Sequence, residues 1–149
     1  MAEKPADAYA LGPDEGERLV FGPVTVLVKA STETTGGQFT LFEEVPPLVD
    51  TPRHVHERED ELFCVLSGEH VFEIGDEEFP AGPGDVVFAP RGVPHAQRRV
   101  VAGQGRLLVL TSPAGFEGFF RELAAAEQAG ALGPEAYAAA SARYGITWL

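Results

Sequence analysis

The stretch HVHEREDELFCVLSG, residues 54–68, decides the fold of this chain because it sets metal-binding residue types inside a strand pattern. His54 and His56 stand one residue apart, and Glu61 follows five positions later. Imidazole nitrogens and carboxylate oxygens hold a divalent transition metal while leaving coordination positions open. One intervening residue puts two side chains on the same face of an extended strand, so the two histidines would point the same way. The stretch therefore makes a metal site the first hypothesis.

A second stretch, GDVVFAPRGVPH at residues 84–95, contributes a third histidine. His95 follows the run PRGVP, whose prolines and glycine predict a rigid turn that would aim the imidazole. Two histidines on one strand are, taken alone, more typical of solvated side chains on an exposed surface. Glu61 adds weight to the metal site, because its alternation with Phe63 and Val65 predicts that all three face the same side of a strand.

The composition of the 149-residue chain limits the classes of partner. With 23 acidic and 11 basic residues the formal net charge is −12, and such a surface repels phosphate backbones and anionic lipid. We therefore expect neither nucleic-acid nor membrane partners. Cys64 is the single cysteine, so no internal disulfide can form, and no leader-like or 18-residue apolar segment is present. A cytoplasmic protein of one domain is expected.

Between residues 19 and 112, short runs rich in β-branched and aromatic residues alternate with turns of glycine and proline. This punctuation predicts an all-β antiparallel sandwich or barrel. The alanine- and proline-containing segment 1–18 is expected to be flexible. The stretch 80–84, PAGPG, is expected to form only a turn, and His70 is interpreted as a surface or cross-strand residue because it has no partner spacing. The predicted barrel core contains Phe39, Phe63, Phe72 and Phe88.

Beyond residue 112 the apolar residues recur at intervals of three and four, which predicts amphipathic helices. We expect residues 113–149 to form a helical extension of the same domain. The first helix is predicted to end at Gly130, and the second to begin at Pro134, a residue suited to the first helical position, and to end at Gly145. Three aromatic residues are expected to pack the first helix on the barrel: Phe116, Phe119 and Phe120.

The stretches 54–68 and 84–95 resemble the two sequence motifs of the cupin superfamily. The first motif reads histidine-x-histidine, four residues, glutamate, six residues, glycine, and is matched by His54, His56, Glu61 and Gly68. The second motif reads glycine, five residues, proline-x-glycine, two residues, histidine, and is matched by Gly84, Pro90, Gly92 and His95.

Two positions depart from the family pattern. The glycine expected six positions before the first histidine is Leu48, and the asparagine that usually closes the second motif is Arg99. Neither position supplies a metal ligand in the family. Leu48 therefore bears on the local turn, and Arg99 on the polarity beside the site.

The resemblance implies a double-stranded β-helix, a jelly-roll type barrel, with one or two C-terminal helices. It also implies one divalent transition metal per chain, held inside the barrel with one or two positions left for water or substrate. Iron, manganese and nickel suit such an open site best, and zinc, copper and cobalt are alternatives. Glu61 has a second implied role, as the catalytic base for an acidic substrate hydroxyl. The implied metal ligands are His54, His56, Glu61 and His95.

The segment 112–117, SPAGFE, and the later run Tyr144-Gly145-Ile146 resemble the C-terminal extension of bacterial single-domain cupins similar to quercetin 2,3-dioxygenase. The resemblance implies a metal-dependent dioxygenase that uses O₂ on a flavonol-like or other enolic aromatic small molecule. Two alternatives stay open: a non-oxidative isomerase or cyclase of a polyketide-like or other small metabolite, and a non-catalytic metal-dependent module that binds or senses a small molecule. Small cupins often pair, so a homodimer is expected.

Overall fold

A computed structural model describes residues 6–149 as two antiparallel β-sheets with two helices near the C-terminal end. This arrangement confirms the predicted all-β jelly-roll type barrel. The strands are β1 Glu17–Phe21, β2 Val24–Ala30, β3 Thr40–Glu44, β4 Thr51–His56, β5 Asp60–Ser67, β6 His70–Ile74, β7 Glu77–Ala81, β8 Val86–Ala89, β9 His95–Arg99, β10 Arg106–Ser112 and β11 Ile146–Trp148. The helices are α1 Thr32–Thr35, α2 Glu117–Gln128 and α3 Pro134–Tyr144.

The two sheets face each other, and each forms one wall of a common core. One sheet has the order β1-β2-β3-β10-β5-β8 and the other the order β11-β4-β9-β6-β7. In β5 the side chains alternate between the two faces, and Glu61, Phe63 and Val65 are buried. The predicted shared face of these three residues is confirmed. Cys64 lies on the opposite face and is half-buried rather than a core thiol.

Helix α2 packs its aromatic side against the six-stranded sheet, as its three- and four-residue spacing predicts. The Phe120 ring lies 4.8 Å from that of Phe42 and 5.8 Å from that of Phe21, measured between centroids. Phe116 and Phe119 are also buried, and burying each such side chain stabilises the fold by about 1.5–3 kcal/mol. Among residues 6–149, no helix combines the length and the apolar character needed to span a bilayer.

Strand β7 corrects the prediction that residues 80–84 form only a turn. Pro80 and Ala81 belong to β7 and pair with β6, and the turn begins after them. Proline is tolerated because β7 is the outermost strand of its sheet, where a missing N–H leaves no neighbouring strand unpaired. The predicted core position of Phe88 is also wrong, since the side chain is 54% exposed on the edge strand β8. Phe39 is half-buried, whereas the other two predicted core phenylalanines are buried.

His70 is buried, so the surface interpretation is wrong and the cross-strand one is confirmed. It pairs with Arg99 between β6 and β9, and its Nε2 lies 2.9 Å from the carbonyl oxygen of Ser67. A carbonyl oxygen only accepts, so Nε2 carries the proton and donates it. The ring also lies against Gly105, whose φ is +104° and where a Cβ would come within 2.5 Å of the imidazole. His70 therefore has a packing role that requires glycine at position 105.

The described part of the N-terminal segment is hydrogen-bonded to the barrel. The Tyr9 hydroxyl donates to the carbonyl of Lys29 at 2.6 Å. The Lys29 ammonium in turn donates to three backbone carbonyls between residues 12 and 15. Residues 1–5 lie outside the described residues, and the flexibility of segment 1–18 stays a prediction.

Leu48 occupies the position where the family pattern has glycine. Its side chain is buried, and its N–H donates to the carbonyl of Gly103 at 2.9 Å. The loop before β4 is thus attached to the loop before β10 by a bridge that accommodates an apolar side chain.

Candidate metal centre and pocket

Four side chains from three strands meet inside the barrel. His54 and His56 extend from β4, Glu61 from β5 and His95 from β9, and all four are buried. His54 pairs directly with His95 in the register between β4 and β9. One ligand atom from each residue lies within 4.8 Å of the others, which makes this the group of the described residues that could hold a metal ion. The residues that the sequence singled out are therefore brought together.

The atoms at the centre of this cluster fit a bound cation. The Oε2 atom of Glu61 lies 3.2 Å from Nε2 of His56 and 3.0 Å from Nε2 of His95. Neither Glu61 Oε2 nor His95 Nε2 has a hydrogen bond of acceptable geometry to a described residue. Buried polar atoms are nearly always satisfied, so two convergent unsatisfied ones indicate a missing partner. Three imidazoles and one carboxylate form a donor set typical of a divalent transition metal.

Hydrogen bonds on the outer side of the rings orient the imidazoles. Nδ1 of His54 donates to the carbonyl of Pro52 at 2.7 Å, and Nδ1 of His56 donates to the carboxylate of Glu59 at 2.8 Å. A proton on Nδ1 leaves Nε2 with the lone pair that a metal needs. Sequence reasoning missed Glu59, which is buried despite lying in a densely charged run. Its position three residues after His56 was the available signal.

The protonation states of the cluster suit metal binding. Burial lowers the pKa of His54 to about 4, and the neighbouring His95 and His56 add to the effect. Burial raises the pKa of Glu61, but the imidazoles of His56 and His95 outweigh it and bring the pKa down to about 2. Burial lowers the pKa of His56, yet Glu61 and Glu59 outweigh it and leave the pKa above its usual value. Neutral His54 and ionised Glu61 are the forms that bind metal at neutral pH.

The cluster opens onto a cavity of about 530 Å³ between the sheets and α2. Part of the cavity wall is aromatic, with Phe42, Phe116 and Phe120 in contact with one another. The Phe116 ring also meets the His56 ring edge-on, 4.7 Å between centroids. Such a cavity has the size and apolar character of a small-molecule site.

The C-terminal strand β11 covers one side of the cluster. It pairs with β4 so that Trp148 lies opposite His54, with 5.0 Å between ring centroids. The Trp148 indole N–H donates to Oγ of Ser141 in α3 at 2.8 Å, so this residue attaches the C-terminal strand to that helix. Its place on the pocket wall was missed, because nothing in the local sequence joins residue 148 to a histidine more than 90 positions earlier.

One end of the cavity is polar. Glu44 of β3 and Gln97 of β9 line it, and behind them lies Arg99, with its side chain 1% exposed. Burial raises the pKa of Glu44 to about 7, against the lowering effect of Arg99. Arg99, which stands where the family pattern has asparagine, is therefore buried behind the pocket wall. Its side chain contacts the carboxylate of Glu44.

Comparison with known proteins agrees with this geometry. The family model described as Cupin domain matches residues 41–111. Quercetin 2,3-dioxygenase from Bacillus subtilis (strain 168) is 30% identical over 116 residues, which are 77% of this chain and 34% of the relative. The chain thus spans about a third of the length of that curated relative.

Solved structures are similar in fold. KdgF from Halomonas sp. superposes with a TM-score of 0.63 at 18% identity, over 75% of this chain and 99% of that chain. Pac13, a nucleoside dehydratase from Streptomyces, gives a TM-score of 0.57 at 19% identity, over 75% of this chain and 88% of that chain. The family model and the two matched motifs identify a cupin domain at residues 41–111, and the chain resembles bacterial quercetin 2,3-dioxygenase.

Proposed function

We propose that this protein is a metal-dependent dioxygenase that acts on a flavonol-like or other enolic aromatic small molecule. The observation that carries the proposal is the buried three-histidine, one-glutamate cluster at the wall of an aromatic cavity of about 530 Å³. The similarity to quercetin 2,3-dioxygenase supports an aromatic substrate and O₂ as the second reactant.

The proposal assigns one divalent transition metal to each chain. Iron, manganese or nickel fits the proposed reaction best, with zinc, copper and cobalt as alternatives. When bound, the metal supplies a positive charge that stabilises a substrate oxyanion and a centre at which O₂ chemistry can occur. The proposed ligands are His54, His56, Glu61 and His95.

The remaining steps belong to the protein's own side chains. Glu61 is the proposed catalytic base: its carboxylate accepts the proton of the substrate's enolic hydroxyl as that O–H bond breaks. Its pKa of about 2 keeps the carboxylate ionised but makes it a weak base, so the transfer depends on a bound metal that would lower the pKa of the substrate hydroxyl. The aromatic residues Phe42, Phe116 and Phe120 of the cavity wall pack against planar rings and keep water away from them.

Oxygen dependence tests this function. Metal-loaded protein is incubated with a flavonol under ¹⁸O₂, and the product is analysed by mass spectrometry. We expect ring cleavage with both labelled oxygen atoms retained and no turnover without O₂. A Glu61→Gln variant should lose most turnover, because an amide cannot take up the hydroxyl proton.

Two rivals would be recognised by the same assay. Pac13, which is similar in fold, is a nucleoside dehydratase, so the barrel also accommodates chemistry without O₂. Anaerobic turnover without gain of oxygen would favour a non-oxidative isomerase or cyclase. Tight ligand binding without turnover under any loaded metal would instead favour a binding or sensing module.

We further propose that the protein works in the cytoplasm as a homodimer, without nucleic-acid or membrane partners. The formal net charge of −12 supports the absence of polyanionic partners.

A further inference from the structure

The pocket has a polar end that the proposed metal chemistry does not use. Glu44 and Gln97 come from different sheets and meet at the cavity wall. Nε2 of Gln97 donates to Oε1 of Glu44 at 3.2 Å and to Oγ1 of Thr51 at 3.0 Å. This contact joins the two walls of the barrel beside the space where a ligand would lie.

Arg99 holds both side chains from behind. One of its terminal nitrogens donates to Oε1 of Gln97 at 3.5 Å, and the other lies 3.5 Å from Oε2 of Glu44. Burying an ion pair of this kind is opposed by desolvation, and replacing it with apolar residues is often neutral or stabilising. Fold stability alone therefore gives little reason for an arginine and a glutamate at this place.

Among the residues that line this end of the cavity, the spare hydrogen-bonding capacity belongs to Glu44, because Arg99, whose Nε has no partner among the described residues, is not part of the lining. Gln97 directs its amide hydrogens at Glu44 and Thr51 and its oxygen at Arg99, so its polar atoms are engaged within the protein. A carboxylate has about four acceptor positions, and the Glu44 side chain keeps 20% of its exposure while lining the cavity. Burial raises its pKa to about 7, which agrees with a carboxylate that is poorly solvated in the free protein. A ligand that supplies one donor would complete the site.

The distance between the histidine cluster and the Glu44–Gln97 contact limits the length of the ligand. Gln97 follows His95 by two residues on the same face of β9, which corresponds to roughly 7 Å along the strand. A planar molecule of two or three linked rings spans that distance. Most of the other residues that line the cavity are aromatic or apolar.

We propose that Glu44, positioned by Gln97 and Arg99, is a second recognition point that accepts a hydrogen bond from a hydroxyl or N–H group at the far end of a planar aromatic substrate. This inference rests on the proposed function, because the other end of the same substrate is the enolic group at the histidine cluster. It narrows the substrate class to aromatic molecules with a donor at each end.

Binding of matched ligand pairs tests the inference. Dissociation constants are measured by calorimetry with metal-loaded protein, well above the Glu44 pKa of about 7 so that its carboxylate is ionised. The ligands are 3-hydroxyflavone derivatives that carry one extra hydroxyl on an outer ring, each compared with its methoxy counterpart. A methoxy oxygen accepts hydrogen bonds but donates none. In the wild type we expect at least one hydroxyl compound to bind about tenfold more tightly than its counterpart, as a hydrogen bond to a charged acceptor would give.

The double variant Glu44→Leu/Arg99→Met, which removes both buried charges together, should reduce that preference below about twofold with metal content unchanged. A single Glu44→Gln variant, which removes the charge and replaces one of the two acceptor oxygens with an NH2 donor, should also lower it if the double variant folds poorly. The matched control is Glu43→Leu/Arg106→Met, because this neighbouring pair joins Glu43 Oε1 to Arg106 Nε at 2.8 Å outside the cavity lining. This control should keep the tenfold preference.

Equal binding of both compounds by the wild type, binding of neither, or a preference that survives in the Glu44 variants would overturn the inference. Turnover is not part of the measurement. A failure to incorporate oxygen would therefore reject the dioxygenase proposal separately, while the ligand preference would still decide the role of Glu44.

Discussion

At the scale of single residues, the candidate site depends on what each nitrogen of a histidine ring contacts. His56 illustrates this, since its Nε2 faces Glu61 while its Nδ1 donates to Glu59. Nε2, which faces Glu61, is the atom that would bind the metal. The hydrogen bond from Nδ1 to Glu59 keeps the proton on Nδ1 and leaves Nε2 free to bind. One prediction concerns the metal ligands, and a second concerns the hydrogen bond behind His56.

Replacing His54 or His95 with alanine should abolish stoichiometric metal binding, because the remaining three ligands compete poorly for a labile divalent ion. Elemental analysis of purified protein measures the metal per chain. The matched control is His70→Ala, which removes the fourth buried histidine outside the cluster and should keep one metal per folded chain. Unchanged metal content in both cluster variants would contradict the ligand assignment.

Replacing Glu59 with glutamine should weaken metal binding by about 10- to 100-fold, the usual effect of losing a hydrogen-bonding partner behind a ligating histidine. A competition titration with a chelator measures the affinity. Glu57→Gln is the control, because that exposed carboxylate only accepts from the Thr147 hydroxyl. If both variants bind metal equally well, Glu59 does not orient His56.

At the scale of elements, α2 and β11 close the barrel by contacts that are distant in sequence. Helix α2 starts at Glu117, whose buried carboxylate accepts from the N–H groups of Thr32 and Gly115 and from the hydroxyl of Thr40. A negative charge in the first turn of a helix also interacts favourably with the helix dipole. The carboxylate in fact ties the helix start to α1 and β3, a stronger constraint than the dipole.

Glu117→Gln should destabilise the fold by about 2 kcal/mol, because three donors lose part of their acceptor. The cost should depend on pH. Burial raises the pKa of Glu117, but the hydrogen bonds from Thr32 and Thr40 outweigh it, so the folded-state pKa lies below the usual value. A depressed pKa means that this stabilisation is present above about pH 4.5 and is lost as the pH falls through the lowered folded-state pKa.

Urea unfolding of the Glu117→Gln variant and the wild type at pH 7 and pH 3 measures both effects. The difference in unfolding free energy should be larger at pH 7. Glu122→Gln is the control, since its contact with the exposed Arg143 should contribute less than about 1 kcal/mol. A pH-independent difference would mean that the charge of Glu117 does not stabilise the helix start.

Strand β11 places the single tryptophan beside the cluster, so its fluorescence should report metal binding. We expect Cu²⁺ or Ni²⁺ to quench Trp148 emission with a one-to-one end point. Zn²⁺, which has a filled d shell and no redox chemistry, should bind with little quenching. Emission that is unaffected by a stoichiometric paramagnetic ion would show that the ion binds away from β11.

At the scale of the whole molecule, the six-stranded sheet carries apolar side chains on its outer surface. Leu110 pairs with Leu62, which pairs with Phe88, and Leu108 pairs with Cys64, which pairs with Val86. Val86 and Phe88 are 58% and 54% exposed. The formal net charge of −12 makes two copies of the chain repel each other. These six side chains carry no charge, so a contact through them adds no direct repulsion between like charges. We therefore propose that a second copy of the chain covers this outer surface across a twofold axis.

Phe88→Lys should convert the dimer into a monomer at micromolar concentration, because two like charges would face each other in a buried interface. Sedimentation equilibrium measures the mass. Phe79→Lys, on the edge strand of the other sheet and 38% exposed, should leave the dimer intact. A wild type that is monomeric at the same concentration would reject this interface.

Local sequence determined the class of fold and the four clustered residues. The parity of His54 and His56, the alternation around Glu61 and the turn before His95 are properties of short segments, and strands preserve them. The same local rules failed at Pro80, because whether a residue lies on an edge strand depends on which strands stand beside it. They failed at Phe88 because the short apolar run of β8 does not indicate which of its alternating side chains face the core.

Only the tertiary structure decided what surrounds the cluster. Glu44, Gln97 and Trp148 reach the cavity because β3, β9 and β11 are assembled into facing sheets, and no spacing in the chain records that assembly. Burial then alters their chemistry, as the raised pKa of Glu44 illustrates. The alternation of residues along a strand determines which face of the sheet a side chain lies on. The pairing of strands that are tens of residues apart determines which other side chains it contacts there.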